Sequence, residues 1–196
     1  MGNKLMSKVT NKLFEKVALV SGSGRGIGRE VAHKLASEGA SVVVNDLDAD
    51  LANQVVEEIV AQGSRAVACV GSVTDKDFGE RFVATAIDTF GGLDIIVNNA
   101  GYTWDNVIQK VDDEQWYAMI DTHMTAPYRI LKAAQPYIKE LSSKDREAGH
   151  DVFRKVVNIS SVSGLSGNAG QLAYAAAKAG VVGMTKTLCK EWGRYN

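Results

Sequence analysis

A cluster of glycines follows the first long apolar run of the chain and limits the folds that the chain can adopt. The run Val17–Val20 is typical of a buried strand, residues 21–28 of a tight turn, and the apolar spacing up to Gly39 of a helix. Glycines in such a turn let phosphate groups approach the backbone and the helix N-terminus closely. A glycine cluster alone is also common in turns without a ligand, but its place between a strand and a helix favours a nucleotide site.

An acidic residue after the second apolar run supplies the next part of this predicted site. Asp46 follows the strand at 42–44, about 20 residues beyond the loop, where a carboxylate can bind both ribose hydroxyls. Asp46 therefore favours NAD(H), whereas Arg25 could pair with the 2′-phosphate of NADP(H). Asp46 could instead cap a helix or turn within the acidic stretch 46–50. The loop residues predicted to contact the nucleotide are Gly22, Ser23, Gly24, Arg25, Gly26, Ile27 and Gly28.

Strands and helices alternate along the rest of the chain. Short, nearly all-apolar runs predict strands at 17–20, 42–44, 66–70, 95–97 and 156–159. Amphipathic spacing predicts helices at 27–39, 51–60, 78–90, 116–141 and 174–192. This alternation predicts an α/β fold, a doubly wound Rossmann fold with a parallel sheet between two helical layers. We expect one domain at 11–196 after a flexible tail at 1–10.

Two segments depart from the regular pattern. The polar connection at 139–155 has no apolar period and is longer than usual, so we expect it to be mobile. Only five strands are found where this fold normally has a sixth, so the strand at 156–159 is expected at the sheet edge. We therefore expect that the C-terminal strands are missing, because the chain is truncated or its sequence incomplete.

Charge and cysteine content exclude several classes of function. The 22 basic and 23 acidic side chains are interspersed and give a net charge of −1, which argues against nucleic-acid partners. No apolar run approaches the ~20 residues of a membrane span, and the N-terminus has no signal-like segment, so a cytoplasmic protein is expected. Cys69 and Cys189 have no zinc-binding spacing and are expected to be two buried thiols, so no metal site is predicted.

Tyr174 and Lys178 form the candidate catalytic pair. Their spacing of four residues places both side chains on one face of a helix. A free phenol is a poor base at neutral pH, and a neighbouring ammonium group favours its phenolate form. Ser161 follows the strand at 156–159, at the carboxyl end where open α/β sheets bind ligands, and could hydrogen-bond a substrate carbonyl. Tyr174 and Lys178 could instead be an ordinary pair of residues on the surface of a helix. Ser161 could instead be a simple turn or capping residue.

Taken together, four ordered motifs resemble the short-chain dehydrogenase/reductase family. They are the glycine loop at 22–28, Asn98-Asn99-Ala100-Gly101, Ser161 and Tyr174-Ala175-Ala176-Ala177-Lys178. The resemblance runs from about Leu13 to the end of the chain. The stretch at 167–180 is also similar to 3-oxoacyl-[acyl-carrier-protein] reductases and related hydroxyacyl dehydrogenases.

The resemblance implies a role for each motif. Tyr174 would be the general acid/base, Lys178 would bind the nicotinamide ribose, and Ser161 would orient the substrate carbonyl. Asn99, Ala100 and Gly101 would line the adenosine side of the site. Ser72 and Val73 would flank the adenine, although the family often has an acid where Ser72 stands. The family also implies a homo-oligomer.

His123 is the main departure from the family pattern, which usually has a catalytic asparagine at this place. Pro127 lies four residues later and cannot donate the helical hydrogen bond to the His123 carbonyl, so that oxygen could hold a water. We expect His123 to support this water in a proton relay, or else simply to pack.

The function expected from these features is hydride transfer between NAD(P)(H) and a ketone or secondary alcohol. A 3-oxoacyl or 3-hydroxyacyl thioester is a plausible substrate. The alternatives are a non-catalytic nucleotide-binding or assembly protein that retains the fold, and an epimerase or dehydratase with bound cofactor.

Overall fold

The computed structural model describes residues 12–195, and the predicted tail at 1–10 lies outside this range. Strands and helices alternate as the sequence predicts. The strands are β1 (Val17–Val20), β2 (Ser41–Val44), β3 (Ala66–Ala68), β4 (Ile95–Asn98) and β5 (Lys155–Asn158). The helices are α1 (Gly26–Ser37), α2 (Ala49–Ala61), α3 (Phe78–Phe90), α4 (Asp113–Ile120), α5 (Ala126–Glu147), α6 (Val162–Ser166) and α7 (Leu172–Trp192).

All five strands form one parallel sheet in the order β3-β2-β1-β4-β5. The predicted Rossmann-like α/β fold is therefore confirmed. Within the described residues β5 pairs only with β4, which places it at the edge of the sheet as expected. From β1 the chain first adds strands on one side and then, with β4, on the other. The carboxyl ends of β1 and β4 thus flank the crevice where this fold binds its ligands.

The two faces of the sheet have different cores because successive strand residues point to opposite sides. Ala18 and Val20 face α1 and α2, which present mainly small and β-branched residues. Leu19 faces α3, α5 and α7, where the fully buried rings of Phe78 and Phe82 lie 5.0 Å apart between centroids. Burial of a side chain of this size contributes about 1.5–3 kcal/mol, so large apolar side chains on this face contribute strongly to the stability of the fold.

The long helix predicted at 116–141 is divided into two by a π-helical turn. Residues Asp121–Thr125 form this turn between α4 and α5, and the backbone N–H of Ala126 bonds to the carbonyl of Asp121, five residues earlier. Pro127 occupies the first turn of α5 and has no N–H to donate. The π-helical turn therefore lies where a regular α-helix would lack the N–H donor of Pro127. Turns of this kind are frequent at functional sites.

The expectation of a long mobile connection at 139–155 was wrong. Helix α5 continues to Glu147, so only residues 148–154 link it to β5. Arg154 returns to the helix and forms an ion pair with Asp145 at 2.6 Å. The short helix α6 was not predicted.

The two cysteines do not share an environment. Cys69 is buried, but Cys189 is exposed, so the expectation of two buried thiols was wrong for Cys189.

Among residues 12–195, no helix combines the length and the apolar character that a membrane span requires.

Candidate active site

The glycine loop is held in place by the segment that follows β4. The side-chain amide of Asn99 donates to the carbonyls of Ser21 and Gly22, at 3.0 and 2.9 Å. In return, the Ser21 hydroxyl accepts from the backbone N–H of Asn99 and of Ala100, at 3.0 and 3.1 Å. These four hydrogen bonds join the two strand ends that flank the crevice into one rigid base.

Glycine is required in this loop by the packing of the protein on itself. Gly22 has φ +61°, and a Cβ on it would lie 2.7 Å from the Cα of Ala100. A Cβ on Gly28 would lie 2.1 Å from the Gly22 carbonyl oxygen. Real Cβ atoms are essentially never found this close to another heavy atom, so the loop can adopt this packing only without side chains at these two positions.

Helix α1 presents an open N-terminus to the crevice. The side chain of its N-cap, Arg25, bonds to none of the helix amides, and the first turn contains no acidic residue. The positive end of the helix dipole is thus free for an anion such as a pyrophosphate. Four of the predicted loop residues line the crevice beside Gly22: Arg25, Gly26, Ile27 and Gly28.

Ser23 and Gly24 do not line the crevice. Ser23 is buried, and its hydroxyl donates to the Val20 carbonyl at 2.7 Å while accepting from the Asn45 amide at 3.0 Å. Gly24 contacts Asp46 instead. Both residues shape the loop from behind.

Asp46 lines the crevice beside this loop. One carboxylate oxygen accepts from the Gly24 amide at 3.1 Å, and the other from the Asp48 amide at 3.2 Å. The alternative role as N-cap of α2 belongs to Asp48, whose side chain accepts from the amides of Asp50 and Leu51. The carboxylate of Asp46 is therefore oriented by the backbone and has lone pairs left for ribose hydroxyls.

Asn45 is a site residue that the sequence reasoning missed. Its side chain accepts from the Gly22 amide at 3.1 Å and donates to the carbonyls of Cys69 and Gly71, both at 3.0 Å. A polar residue that ends an apolar strand was the signal available. Ser72 and Val73, which the resemblance predicts to flank the adenine, line the crevice, and the Ser72 hydroxyl pairs with that of Thr74 at 2.7 Å.

At the other end of the crevice, Tyr174 and Lys178 lie on the same face of α7. The ammonium nitrogen of Lys178 is 5.7 Å from the centre of the Tyr174 ring and donates to the Ile159 carbonyl at 2.6 Å. Only 5% of Lys178 is exposed, and burial lowers its pKa to about 8. The residue is thus still mainly a cation at neutral pH, and it is held at the carboxyl end of β5.

Ser161 lies next to this pair but outside the lining of the crevice. Its side-chain oxygen accepts from the Ser163 amide at 3.2 Å and caps α6, as one alternative from the sequence proposed. Its hydroxyl proton meets no acceptor within residues 12–195. The neighbouring Ser160 hydroxyl donates to the Lys178 carbonyl at 2.9 Å and so helps to place α7.

His123 lies in the π-turn, in edge-to-face contact with Tyr174 at 4.9 Å between ring centres. Its Nε2 is 2.7 Å from the Tyr102 carbonyl, and because a carbonyl can only accept, Nε2 carries the hydrogen. Burial, and then the charge of Lys178, lower the pKa of His123 to about 4, so the ring is neutral at neutral pH. Its Nδ1 is a buried acceptor without a partner among the described residues.

Gly101 makes room for this imidazole. A Cβ on Gly101 would lie 2.2 Å from Cε1 of His123, so no other residue fits there without moving the ring. Asn99, Ala100 and Gly101 all line the crevice.

One continuous cavity of about 1360 Å³ joins the two ends of the site. This volume exceeds the ~300–1,000 Å³ of a typical small-molecule pocket, so an extended dinucleotide and a small substrate can be held together. The open helix end, the oriented Asp46 and the buried Lys178 fit the phosphates, the adenosine ribose and the nicotinamide side of such a molecule.

Known proteins share this architecture. The sequence profile of the family described as short chain dehydrogenase matches residues 16–196. The chain is 42% identical to the hydroxyacyl-CoA dehydrogenase ChsB1 of Mycobacterium tuberculosis, over 95% of this chain and 59% of that protein. It is 40% identical to a 3-oxoacyl-[acyl-carrier-protein] reductase of Synechocystis, over 91% of this chain and 69% of that one.

A solved structure of a short chain dehydrogenase from Mycobacterium avium superposes with a TM-score of 0.86 at 40% identity. The match covers 93% of this chain and 65% of that one. The chain thus spans less than two thirds of the length of both mycobacterial proteins.

Proposed function

Because the chain belongs to the short-chain dehydrogenase family, we propose that it interconverts a ketone and a secondary alcohol by hydride transfer with a nicotinamide cofactor. The observation that carries this proposal is the placement of Lys178. Its ammonium group lies beside the Tyr174 ring, buried at the carboxyl end of β5, in the same cavity as the glycine loop.

Tyr174 is the general acid/base of the proposed reaction. In the direction of reduction, its hydroxyl donates a proton to the carbonyl oxygen of the substrate, and in the reverse direction the phenolate removes that proton. The ammonium nitrogen of Lys178 lies 5.7 Å from the centre of the Tyr174 ring, where its charge can stabilise negative charge that develops during the proton transfer. Ser161 is proposed to donate its hydroxyl proton to the same substrate oxygen, which requires the substrate to reach past the residues that line the cavity.

The bound nicotinamide ring would supply or accept the hydride. We assign its ribose to Lys178, the pyrophosphate to the amides at the N-terminus of α1, and the adenine to the wall at Ser72 and Val73. Asp46 binds the hydroxyls of the adenosine ribose and repels a 2′-phosphate, so NAD(H) is preferred. Arg25, which is exposed and lines the same cavity as Asp46, permits some use of NADP(H).

His123 supports a water in the proton relay rather than carrying a proton itself. The neutral ring has a hydrogen only on Nε2, which the Tyr102 carbonyl accepts. We assign the water to the backbone carbonyl of His123, because Pro127 has no N–H to donate to that oxygen. The relay to solvent then runs from Tyr174 through Lys178 to that water.

The substrate proposed is a 3-oxoacyl or 3-hydroxyacyl thioester. Support comes from the similarity to a hydroxyacyl-CoA dehydrogenase and to a 3-oxoacyl-[acyl-carrier-protein] reductase. A homo-oligomer is proposed from the family resemblance, and light scattering after gel filtration would measure its size.

The proposal is tested by following nicotinamide absorbance with acetoacetyl thioesters and a panel of simple ketones, with NADH and NADPH in parallel. We expect oxidation of NADH with at least one thioester and slower oxidation of NADPH. Binding of the cofactor without turnover of any substrate would favour the non-catalytic alternative. Isomerised or dehydrated product without net cofactor oxidation would favour an epimerase or dehydratase.

A further inference from the structure

Gly24 is not required to be glycine by a positive φ angle. Within the loop, Gly22 and Gly26 have positive φ angles of 61° and 57°, which residues with a side chain rarely adopt. The φ angle of Gly24 is not positive. Gly24 is also not in contact with the cavity where the cofactor is proposed to bind. A φ outside the left-handed region is open to residues with a side chain, so we look for the reason for glycine in the space around it.

The space at Gly24 is taken by the carboxylate of Asp46. A Cβ on Gly24 would lie 2.6 Å from Oδ2 of Asp46 and 2.9 Å from both its Cβ and its Cγ. The same carboxylate oxygen accepts the hydrogen bond of the Gly24 amide at 3.1 Å. Any side chain at Gly24 must therefore displace the carboxylate and lengthen or break that hydrogen bond.

The position of this carboxylate depends on few other contacts. The Asp48 amide holds its second oxygen at 3.2 Å, and within residues 12–195 no lysine, arginine or histidine forms an ion pair with it. With two amides on two oxygens, the remaining lone pairs of Asp46 face outward together. If the hydrogen bond from the Gly24 amide were broken, the Asp46 side chain would keep only its hydrogen bond to the Asp48 amide. It could then rotate about χ1 and χ2.

We propose that Gly24 is a positioning residue that determines the preference for NAD(H) over NADP(H), by leaving room for Asp46 to dock against the loop. The bare backbone at Gly24 fixes the carboxylate where it accepts the ribose hydroxyls and repels a 2′-phosphate. A side chain at this position removes both effects while leaving Arg25 free to pair with the phosphate. This inference rests on the proposed role of Asp46.

The test is a double-mutant cycle with Gly24→Ala, Asp46→Ala and the combined variant, using fluorescence titrations of NADH and NADPH. For Gly24→Ala we expect the Kd for NADH to rise about tenfold, the usual effect of a lost charge-assisted hydrogen bond. The Kd for NADPH should stay the same or fall, because displacement of the Asp46 carboxylate removes its repulsion of the 2′-phosphate. In the Asp46→Ala background, Gly24→Ala should leave the ratio of the two Kd values unchanged.

Gly193→Ala is the matched control, since Gly193 has ordinary φ and a Cβ on it would meet nothing within 4 Å. It adds the same methyl group far from the loop and should leave both Kd values as they are.

Each outcome has one meaning. If Asp46→Ala leaves the preference unchanged, the proposed role of Asp46 fails and the inference fails with it. If Asp46→Ala alters the preference but Gly24→Ala shifts both Kd values equally, or acts the same in both backgrounds, only the inference is overturned. If Gly24→Ala unfolds but the combined variant folds, the clash with Asp46 is demonstrated by stability instead. If both unfold, Gly24 serves the fold alone and the inference is overturned.

Discussion

The two ends of the cavity are built on different physical principles. At the nucleotide end, amides and hydroxyls such as those of Asn99 and Ser21 are paired with backbone groups, and Asp46 is only partly buried. At the catalytic end, Lys178 and His123 are buried almost completely, and burial lowers the pKa of each. The first end is organised by shape and hydrogen bonding, whereas the second uses burial to set proton affinity. Substitutions at the first end should therefore change binding, and those at the second should change turnover and pH dependence.

The largest expected effect is that of Tyr174→Phe. Removal of the hydroxyl should lower kcat by about 10³-fold, within the range of a lost general acid/base group. The Kd for NADH should stay the same, because the ring and its contact with His123 remain. Tyr137→Phe, on the outer surface of α5, is the matched control and should keep full activity. Retained turnover in Tyr174→Phe would refute the proposed role.

Lys178→Met separates the two ends through the pH dependence of stability. Burial lowers the pKa of Lys178 from 10.5 to about 8, so between these pH values the unfolded chain holds a proton that the folded chain has released. The free energy of unfolding of the wild type therefore rises, relative to that of the variant, as the pH rises through this window. The gain should reach at most about 3 kcal/mol. Below pH 8 the difference should be constant.

Urea denaturation of both proteins across the window measures this difference, and subtraction of the variant cancels the titration of groups that do not interact with Lys178. A difference that does not change with pH would mean that Lys178 is well solvated. The comparison between the two ends would then lose its basis.

Asn99→Ala probes the nucleotide end. It removes two hydrogen bonds to the carbonyls of Ser21 and Gly22, which should lower the unfolding free energy by about 1–3 kcal/mol. The loosened loop should bind NADH and NADPH more weakly by the same factor, with kcat at saturating cofactor nearly unchanged. Asn53→Ala, exposed on α2, serves as the control. A large loss of kcat would show that the two ends are not separable.

His123→Asn should have the smallest effect. Because burial lowers the pKa of His123 to about 4, the imidazole does not change charge in the neutral range. The profile of activity against pH between about 6 and 9 should keep its shape, and kcat should change by less than about tenfold, below the effect of an acid/base group. Disappearance of an ionisation from the profile would show instead that the imidazole titrates during the reaction.

The sequence located the nucleotide end better than the catalytic end. Apolar runs predicted all five strands. Strands β1, β2 and β4 are buried on both faces and therefore carry few other residue types, whereas β3 and β5 are only partly buried but still have short apolar runs. The spacing of Asp46 from the glycine loop likewise follows from the βαβ unit. The spacing of four residues also predicted that Lys178 and Tyr174 share one face of a helix. It could not predict the hydrogen bond from Lys178 to the Ile159 carbonyl, since that bond depends on how α7 packs against the end of β5.

Other features lacked a local signal. The end of α5, at residues 142–147, has no apolar stripe and is helical because its residues include good helix formers. The sequence did not predict the π-helical turn at Asp121–Thr125. It predicted only that Pro127 cannot donate a helical hydrogen bond to the His123 carbonyl. The protonation of His123 depends on burial and on the Tyr102 carbonyl, which lies 21 residues away in sequence.

The side chain of Asn45 ties the glycine loop to the end of β3. One amide group bonds to Gly22 on one side and to Cys69 and Gly71 on the other. Local opening of either segment must break the same cluster of hydrogen bonds, so their backbone amides should exchange with deuterium as a single cooperative unit. A molecule that binds the loop should then slow exchange at Gly71 as well as at Gly22, although these residues lie on different strand ends.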